Sequence, residues 1–157
     1  METCSLPPLT QIYSSISLAC TTPPADTTET IPLSVFDMVA FDQHMSSMHF
    51  FRAPTPPAAA LELGFARILA EFLMWAGCLI IHTDGVGCAV LLNDAGAQFI
   101  KVAADVSLDN GGVPWEPTPE RRVLHPSGGH GVEELMLVQV TRFACEGLVV
   151  GTTVHQS

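Results

Sequence analysis

The chain has 157 residues, 48% of them hydrophobic, with 6 Lys+Arg against 16 Asp+Glu and a formal net charge of −10. That length holds one domain with a real core, and the apolar share excludes an extended disordered chain. The shortage of cations excludes nucleic acid as a partner, because neutralising phosphates takes clustered Lys and Arg. For the same reason a phosphate-bearing cofactor would be gripped mainly by residues outside this chain.

Five cysteines, Cys4, Cys20, Cys78, Cys88 and Cys145, are odd in number and lack CxxC spacing. They read as reduced packing thiols of a cytoplasmic protein, not as a disulfide or zinc framework. The longest apolar stretch, residues 72–81, contains Gly77 and falls short of the roughly 20 residues a bilayer span needs. The N-terminal residues have neither a basic n-region nor an Arg-rich transit pattern, so no membrane or targeting segment is expected.

Residues 1–30 are rich in Ser, Thr and Pro. Pro7-Pro8 and Pro23-Pro24 deny this segment a continuous helix or central strand, so it is expected as an irregular arm, with residues 9–13 able to add an edge strand. A partial domain over residues 31–157 follows. Residues 44–52 alternate imperfectly and predict a strand on which His44 and His49 fall on opposite faces. That parity argues against a shared metal and for half-buried strand histidines.

Thr55 is expected to cap a helix with Pro56 at its first position. Over residues 58–76, Leu61, Phe65, Ile68, Leu69, Phe72, Leu73 and Ala76 recur at i, i+3, i+4 spacing and predict one buried stripe ending at Gly77. The aromatics Phe65, Phe72 and Trp75 are read as core packing, not as the lining of a ligand pocket. Residues 87–92 and 97–102 predict a hairpin across Asn93, Asp94, Ala95 and Gly96. Gly85 and Gly87 make no phosphate loop, since the required Gly spacing and the following Lys-Ser/Thr are missing.

Residues 105–131, full of Gly and Pro, read as a surface crossover in which His125 and His130 are loop residues without metal partners. Residues 135–143 and 148–154 then flank Ala144-Cys145-Glu146-Gly147, a hairpin signal. Both runs are apolar nearly throughout and predict strands covered on both faces. His155 follows the second. A histidine presented there suits general-base work, because its unperturbed pKa lies near neutrality. Spacing alone makes it an exposed chain-end residue.

Several stretches, in order, carry a family likeness: Leu91-Leu92-Asn93-Asp94-Ala95-Gly96-Ala97-Gln98-Phe99, Ala104-Asp105-Val106-Ser107-Leu108, Val138-Gln139-Val140-Thr141-Arg142-Phe143-Ala144-Cys145 and Val149-Val150-Gly151-Thr152-Thr153-Val154-His155. Together they closely resemble the N-terminal part of the plant BAHD acyltransferases, nearest to grass hydroxycinnamoyl- and benzoyl-transferases. The likeness starts at about Leu33-Ser34-Val35-Phe36-Asp37 and runs to Ser157.

The resemblance implies the N-terminal half of a chloramphenicol-acetyltransferase-like fold, of α+β class, with a mixed, mostly antiparallel sheet and one main helix. It also implies a cytoplasmic acyltransferase that takes acyl-CoA as co-substrate and an alcohol or amine of a plant metabolite as acceptor, with no permanently bound cofactor. In the family's HxxxD motif the histidine removes the acceptor's proton and the aspartate holds the local geometry.

Three departures bear on activity. Cys78 stands where the family's Tyr-Pro-Leu-Ala-Gly-Arg-Leu segment carries arginine, so a cation and its fork of donors are missing. Against relatives reading Val-His-His, His155 matches the first histidine and Gln156 the catalytic second; a one-residue deletion, which would shift His155 into the catalytic role, is the competing alignment. The chain stops at Ser157, before the motif's aspartate and before the half that holds Asp-Phe-Gly-Trp-Gly and most CoA contacts. The expectation is therefore an N-terminal portion truncated at HxxxD and inactive alone. The alternative is a noncatalytic half-domain that docks onto a full-length relative.

Overall fold

The computed structural model describes residues 11–18, 29–39, 43–81, 88–93, 97–105, 107, 122–126 and 134–156. In chain order these form β1 (Gln11–Leu18), β2 (Thr30–Pro32), α1 (Val35–Val39), β3 (Gln43–Phe51), α2 (Ala58–Glu71), a 3-10 turn (Leu73–Ala76), β4 (Cys78–Ile81), β5 (Cys88–Leu91), β6 (Ala97–Ala104), β7 (Met136–Phe143) and β8 (Leu148–Gln156). The strands make a five-stranded sheet ordered β1-β6-β7-β8-β3 and a three-stranded sheet ordered β2-β5-β4. Among the described residues only the β6–β7 pairing is parallel. The class is α+β with a mixed, mostly antiparallel sheet, as the family resemblance implies. A parallel pair cannot be joined by a tight turn and needs a crossover; residues 105–135 separate the two strands in the sequence.

The β7–β8 hairpin forms as expected. Its turn is closed by the Phe143 N–H donating to the Gly147 carbonyl at 2.9 Å and the Glu146 N–H donating to Phe143 at 2.9 Å. Glu146 itself takes the left-handed conformation, φ 59°. Both faces of the hairpin are covered, which explains its continuous apolar run. On one face Val138, Val140 and Leu148 join Phe99 and Ala97 beneath Phe65 and Leu69 of α2. The rings of Phe65 and Phe99 lie 5.8 Å apart. Burying a Leu or Phe of this kind stabilises by about 1.5–3 kcal/mol. On the other face Phe143 and Val149 close over Ala104 and Leu124.

Six expectations are corrected. Residues 87–92 and 97–102 do not pair: β5 lies between β2 and β4, while β6 lies between β1 and β7. Between them the chain leaves one sheet for the other; positions 94–96 lie outside the described residues, as do Gly85, Gly87 and His130. Val90, fully buried, finds its cover from Leu92, Leu135 and the flanking Leu33, Leu73, Trp75 and Leu79. Gly77 lets β4 start hard against β5, since a Cβ there would meet the Leu91 carbonyl at 2.5 Å.

The helix ends earlier than expected, at Glu71, because Phe72 adopts φ −121°, ψ 68°, and a 3-10 turn continues to Ala76. Its buried stripe is Phe65, Ala66 and Leu69, whereas Ile68 and Phe72 are 51% and 57% exposed. Ile68 sits about 100° of rotation from Leu69, on the far side of Phe65, and the break carries Phe72 away from the sheet. Thr55 does not cap the helix: Pro57 is the N-cap residue and makes no side-chain cap bond. The Thr55 hydroxyl instead donates to the Glu146 carbonyl at 2.8 Å and accepts from Arg142 Nη1 at 2.8 Å, while Arg142 Nη2 donates to the Pro56 carbonyl at 2.5 Å.

The N-terminal segment is not irregular throughout. Gln11–Leu18 is a full edge strand, longer than the expected 9–13, paired antiparallel with β6 from Gln11↔Ala103 to Leu18↔Ala97. The run is free of proline, which sits at positions 7, 8, 23 and 24. Finally, β8 continues through Gln156, because β3 offers it partners as far as Gln43↔Gln156.

Candidate functional site

The extension of β8 decides the setting of His155. Antiparallel register places His44 directly opposite it on β3, and Ser46 directly opposite Thr153. Alternation along a strand puts residues two apart on one face, so His44 and Ser46 share a face with His155, Thr153 and Gly151. The two imidazoles lie with centroids 5.0 Å apart and planes at 82°, edge toward face. His155 is 7% exposed, so it is not the exposed chain end that spacing alone indicates. Its backbone N–H donates to the Leu135 carbonyl at 2.9 Å. His44 is half-buried, and its Nε2 is enclosed with no hydrogen-bond partner among the described residues. His49 is exposed.

A polar band runs away from this pair beneath a strap formed by residues 122–126. Thr153 is 1% exposed, and its Oγ1 donates to the Pro126 carbonyl at 2.6 Å and lies 2.9 Å from Ser46 Oγ. Gln139 Nε2 donates to the Val123 carbonyl at 2.7 Å and to Thr141 Oγ1 at 3.1 Å. Thr141 and Gln139 are themselves buried, so the strap carbonyls supply partners that the sheet does not. The strap can approach this closely because residue 151 is glycine: a Cβ there would lie 2.2 Å from the Leu124 carbonyl oxygen and 2.7 Å from His125 Cα. His125 is a half-buried member of the strap, with Nδ1 3.3 Å from the Pro126 carbonyl oxygen.

Cys78, at the position of the expected arginine, forms an uncharged pair with Asn93: Asn93 Nδ2 lies 3.1 Å from the thiol sulfur, which lies 3.5 Å from Asn93 Oδ1. Gln156 is the last described residue of β8 and pairs through its backbone with Gln43. Sequence reading placed His155 and Gln156 but missed His44 as a neighbour, since the parity argument compared His44 only with His49. The signal that finds it is register, and register links residues 107 apart at the adjacent Ser46–Thr153 pair. Among the described residues no helix is long and apolar enough to cross a membrane.

A family model described as the Transferase family matches residues 17–156. Agmatine coumaroyltransferase-1 of Hordeum vulgare is 51% identical over 138 residues, covering 87% of this chain and 31% of the relative. Agmatine hydroxycinnamoyltransferase 1 of Oryza sativa subsp. japonica is 52% identical over 131 residues, covering 82% of this chain and 29% of the relative. The chain thus spans under a third of the length of these curated relatives. Among solved structures, vinorine synthase superposes with a TM-score of 0.74 at 19% identity, over 92% of this chain and 37% of that one, a likeness of fold.

Proposed function

The chain belongs to the Transferase family, that of the BAHD acyltransferases, and on that premise we propose that it is the N-terminal portion of an acyltransferase that moves a hydroxycinnamoyl- or benzoyl-type group from acyl-CoA to an amine or alcohol. The names of the two relatives, which mention agmatine, favour an amine acceptor with a second cationic end. Acyl-CoA is a co-substrate in this reading, and the compartment is the cytoplasm.

The observation that carries the reading is His155: an enclosed imidazole at the end of a strand covered on both faces, its backbone tied to Leu135 and its ring set against His44. A base in such a setting is held in place before substrate arrives, and preorganisation of this kind lowers the barrier. His155 would take the proton from the acceptor nitrogen or oxygen as that atom attacks the thioester carbonyl. Collapse of the tetrahedral adduct expels the CoA thiolate, which takes the proton back from the imidazolium. This role for His155 follows the one-residue-deletion alignment; the Val-His-His alignment puts Gln156 in the catalytic position instead, and a glutamine amide cannot accept this proton.

Alone, the chain is proposed to be inactive, because most CoA contacts of the family belong to the other half. The test joins the chain to the remaining C-terminal part of the barley relative and assays hydroxycinnamoyl-CoA with agmatine, beside the chain by itself. His155→Ala should cost about 10²–10⁴-fold in the chimera, the span of general-base catalysis. A Gln156→His gain with no loss from His155→Ala transfers the role to position 156. Turnover by the lone chain overturns its proposed inactivity.

A second reading, a noncatalytic half-domain docking onto a full-length relative, draws on an open apolar depression of about 370 Å³ lined by Phe50, Phe51, Leu61, Leu148 and Val150, with Phe51 48% exposed. Co-expression with the barley relative followed by size-exclusion chromatography tests it: a stable one-to-one complex supports docking, and separate elution removes it.

A further inference from the structure

We propose that the sheet face shared by β3 and β8 on the side of α2 is a self-association surface, on which a second copy of this chain packs face to face about a two-fold axis. Register and alternation put Ser47, His49 and Phe51 of β3 on one face with Thr152, Val150 and Leu148 of β8. That is the face α2 covers, since Leu148 packs with Phe65 and Leu69, and it is opposite the face of His44 and His155. The cover fades strand by strand: Val138 and Val140 of β7 are buried, Val150 and Thr152 of β8 half-buried, and Ser47, His49 and Phe51 of β3 exposed. The strip continues up the near flank of α2. Leu61 lines the depression with Phe51, Leu148 and Val150, and the exposed Ile68, seven residues on, projects within about 20° of it.

Charge and shape favour a second copy as the occupant. Copies carrying a net charge of −10 repel one another, so they approach closely only where the surface itself is uncharged. Neither β3 nor β8 contains an Asp, Glu, Lys or Arg. The Ser47 and Thr152 hydroxyls, 2.7 Å apart, bond to each other, which lowers the cost of covering them. Two sheet faces pack about 10 Å apart and an α-helix is about 10 Å across. With strip on strip, α2 of each copy therefore stands beside both strips with its Leu61 and Ile68 flank turned inward, a self-complementary arrangement. Over residues 45–51 and their partners the strip measures about 10 by 24 Å. Contributed by both copies together with the α2 flanks, it buries on the order of 1,000 Å², the lower bound for a specific interface. The dimer should thus form at micromolar concentration and dissociate on dilution.

Sedimentation velocity of the full chain over a concentration series tests this, with Ser47→Glu on β3, Ile68→Glu on α2 and Leu63→Glu as control. Leu63 is as exposed as Ile68 but lies about 160° around the helix from Leu61. Wild type and Leu63→Glu are expected to share one monomer–dimer equilibrium, strengthened by salt as the net charge is screened. Each strip variant should weaken it by about tenfold or more, since like charges then meet across the two-fold. The strip variants lie in different elements, so a folding failure in one, seen as lost circular dichroism, leaves the other to decide. In wild type, amide exchange at β3 should slow with rising protein concentration, a readout that needs no variant. A wild-type chain that stays monomeric into the millimolar range overturns the proposal. So do open-ended aggregates in place of a dimer, equal weakening by Leu63→Glu, and a dimer indifferent to both strip variants. Protection of β3 amides only when the barley relative is added would assign the strip to that partner and overturn self-association likewise. None of these readouts involves His155, so failure of the catalytic reading leaves the result standing.

Discussion

Gly151→Ala is expected to destabilise the fold by about 3 kcal/mol, although replacing a strand glycine by alanine ordinarily gains about 0.5–1 kcal/mol. The backbone of Gly151 lies outside the left-handed region, so the cost is steric: the new methyl would meet the Leu124 carbonyl oxygen at 2.2 Å and His125 Cα at 2.7 Å. Both contacts are backbone, or tied to it, and neither can swing aside. The strap must lift, and lifting it separates Thr153 from Pro126 and Gln139 from Val123. Each donor keeps a second partner, Ser46 or Thr141, so each loss falls near the lower end of the unsatisfied-group range, about 1 kcal/mol. Partial exposure of Leu124, fully buried in the native fold, adds about 2 kcal/mol. Subtracting the usual alanine gain of about 1 kcal/mol leaves the stated net loss. Urea unfolding with an unchanged m-value measures it, and hydrogen exchange should locate the loosening at residues 122–126. Thr153→Val should add less in the Gly151→Ala background than alone, because the two act on one contact. Wild-type stability or better in Gly151→Ala would refute the steric reasoning.

The phase of α2 is tested by a pair of substitutions: Leu69→Ala should cost about 2–5 kcal/mol and Ile68→Ala within about 0.5 kcal/mol in urea unfolding, and a reversed order would mean that the helix buries its other flank. At α1, the Ser34 N–H donates to Asp37 Oδ2 at 2.8 Å and the Asp37 N–H donates to Ser34 Oγ at 3.3 Å. The Ser34 side chain and then its backbone N–H hold the Asp37 carboxyl below its ordinary value. A depressed carboxylate stabilises the fold above its unfolded pKa, and that contribution is lost as pH falls through the folded pKa. Carboxyl NMR should therefore show Asp37 titrating below a free aspartate, returning toward about 3.9 in Ser34→Ala; no change on that substitution would rule out the reciprocal cap.

What the sequence discloses and what it withholds follow from the range over which each interaction acts. The β7–β8 hairpin is local: two apolar runs and a short connection containing Gly147 suffice to pair them. The apolar face of α2 is local to within one flank, but its exact phase depends on how the axis lies over Phe99 and Val138, and so Ile68 was misplaced. The separation of β5 from β6 is not encoded in the turn residues between them. It depends on Ile31 and Leu79 reaching Val90 from elsewhere in the chain. At the candidate site, the sequence puts His155 after a strand ending at Val154, whereas the structure carries β8 through it to Gln156, and the proximity of His44 requires the full β3–β8 register, which no single segment specifies.

The clamp of Arg142 and Thr55 on the Glu146 turn bears on that register. Side chains alternate with a period of two, so a slip of one residue moves every member of a strand to the opposite face. Arg142 pairs with Leu148 at the head of the hairpin and is pinned to Thr55 and Pro56, and Thr55 is pinned in turn to Glu146. This is the origin from which β8 is counted. Position 155 faces His44 because the count starts at that clamp, and a hairpin one residue out of step would bring position 154 or 156 to His44 in its place.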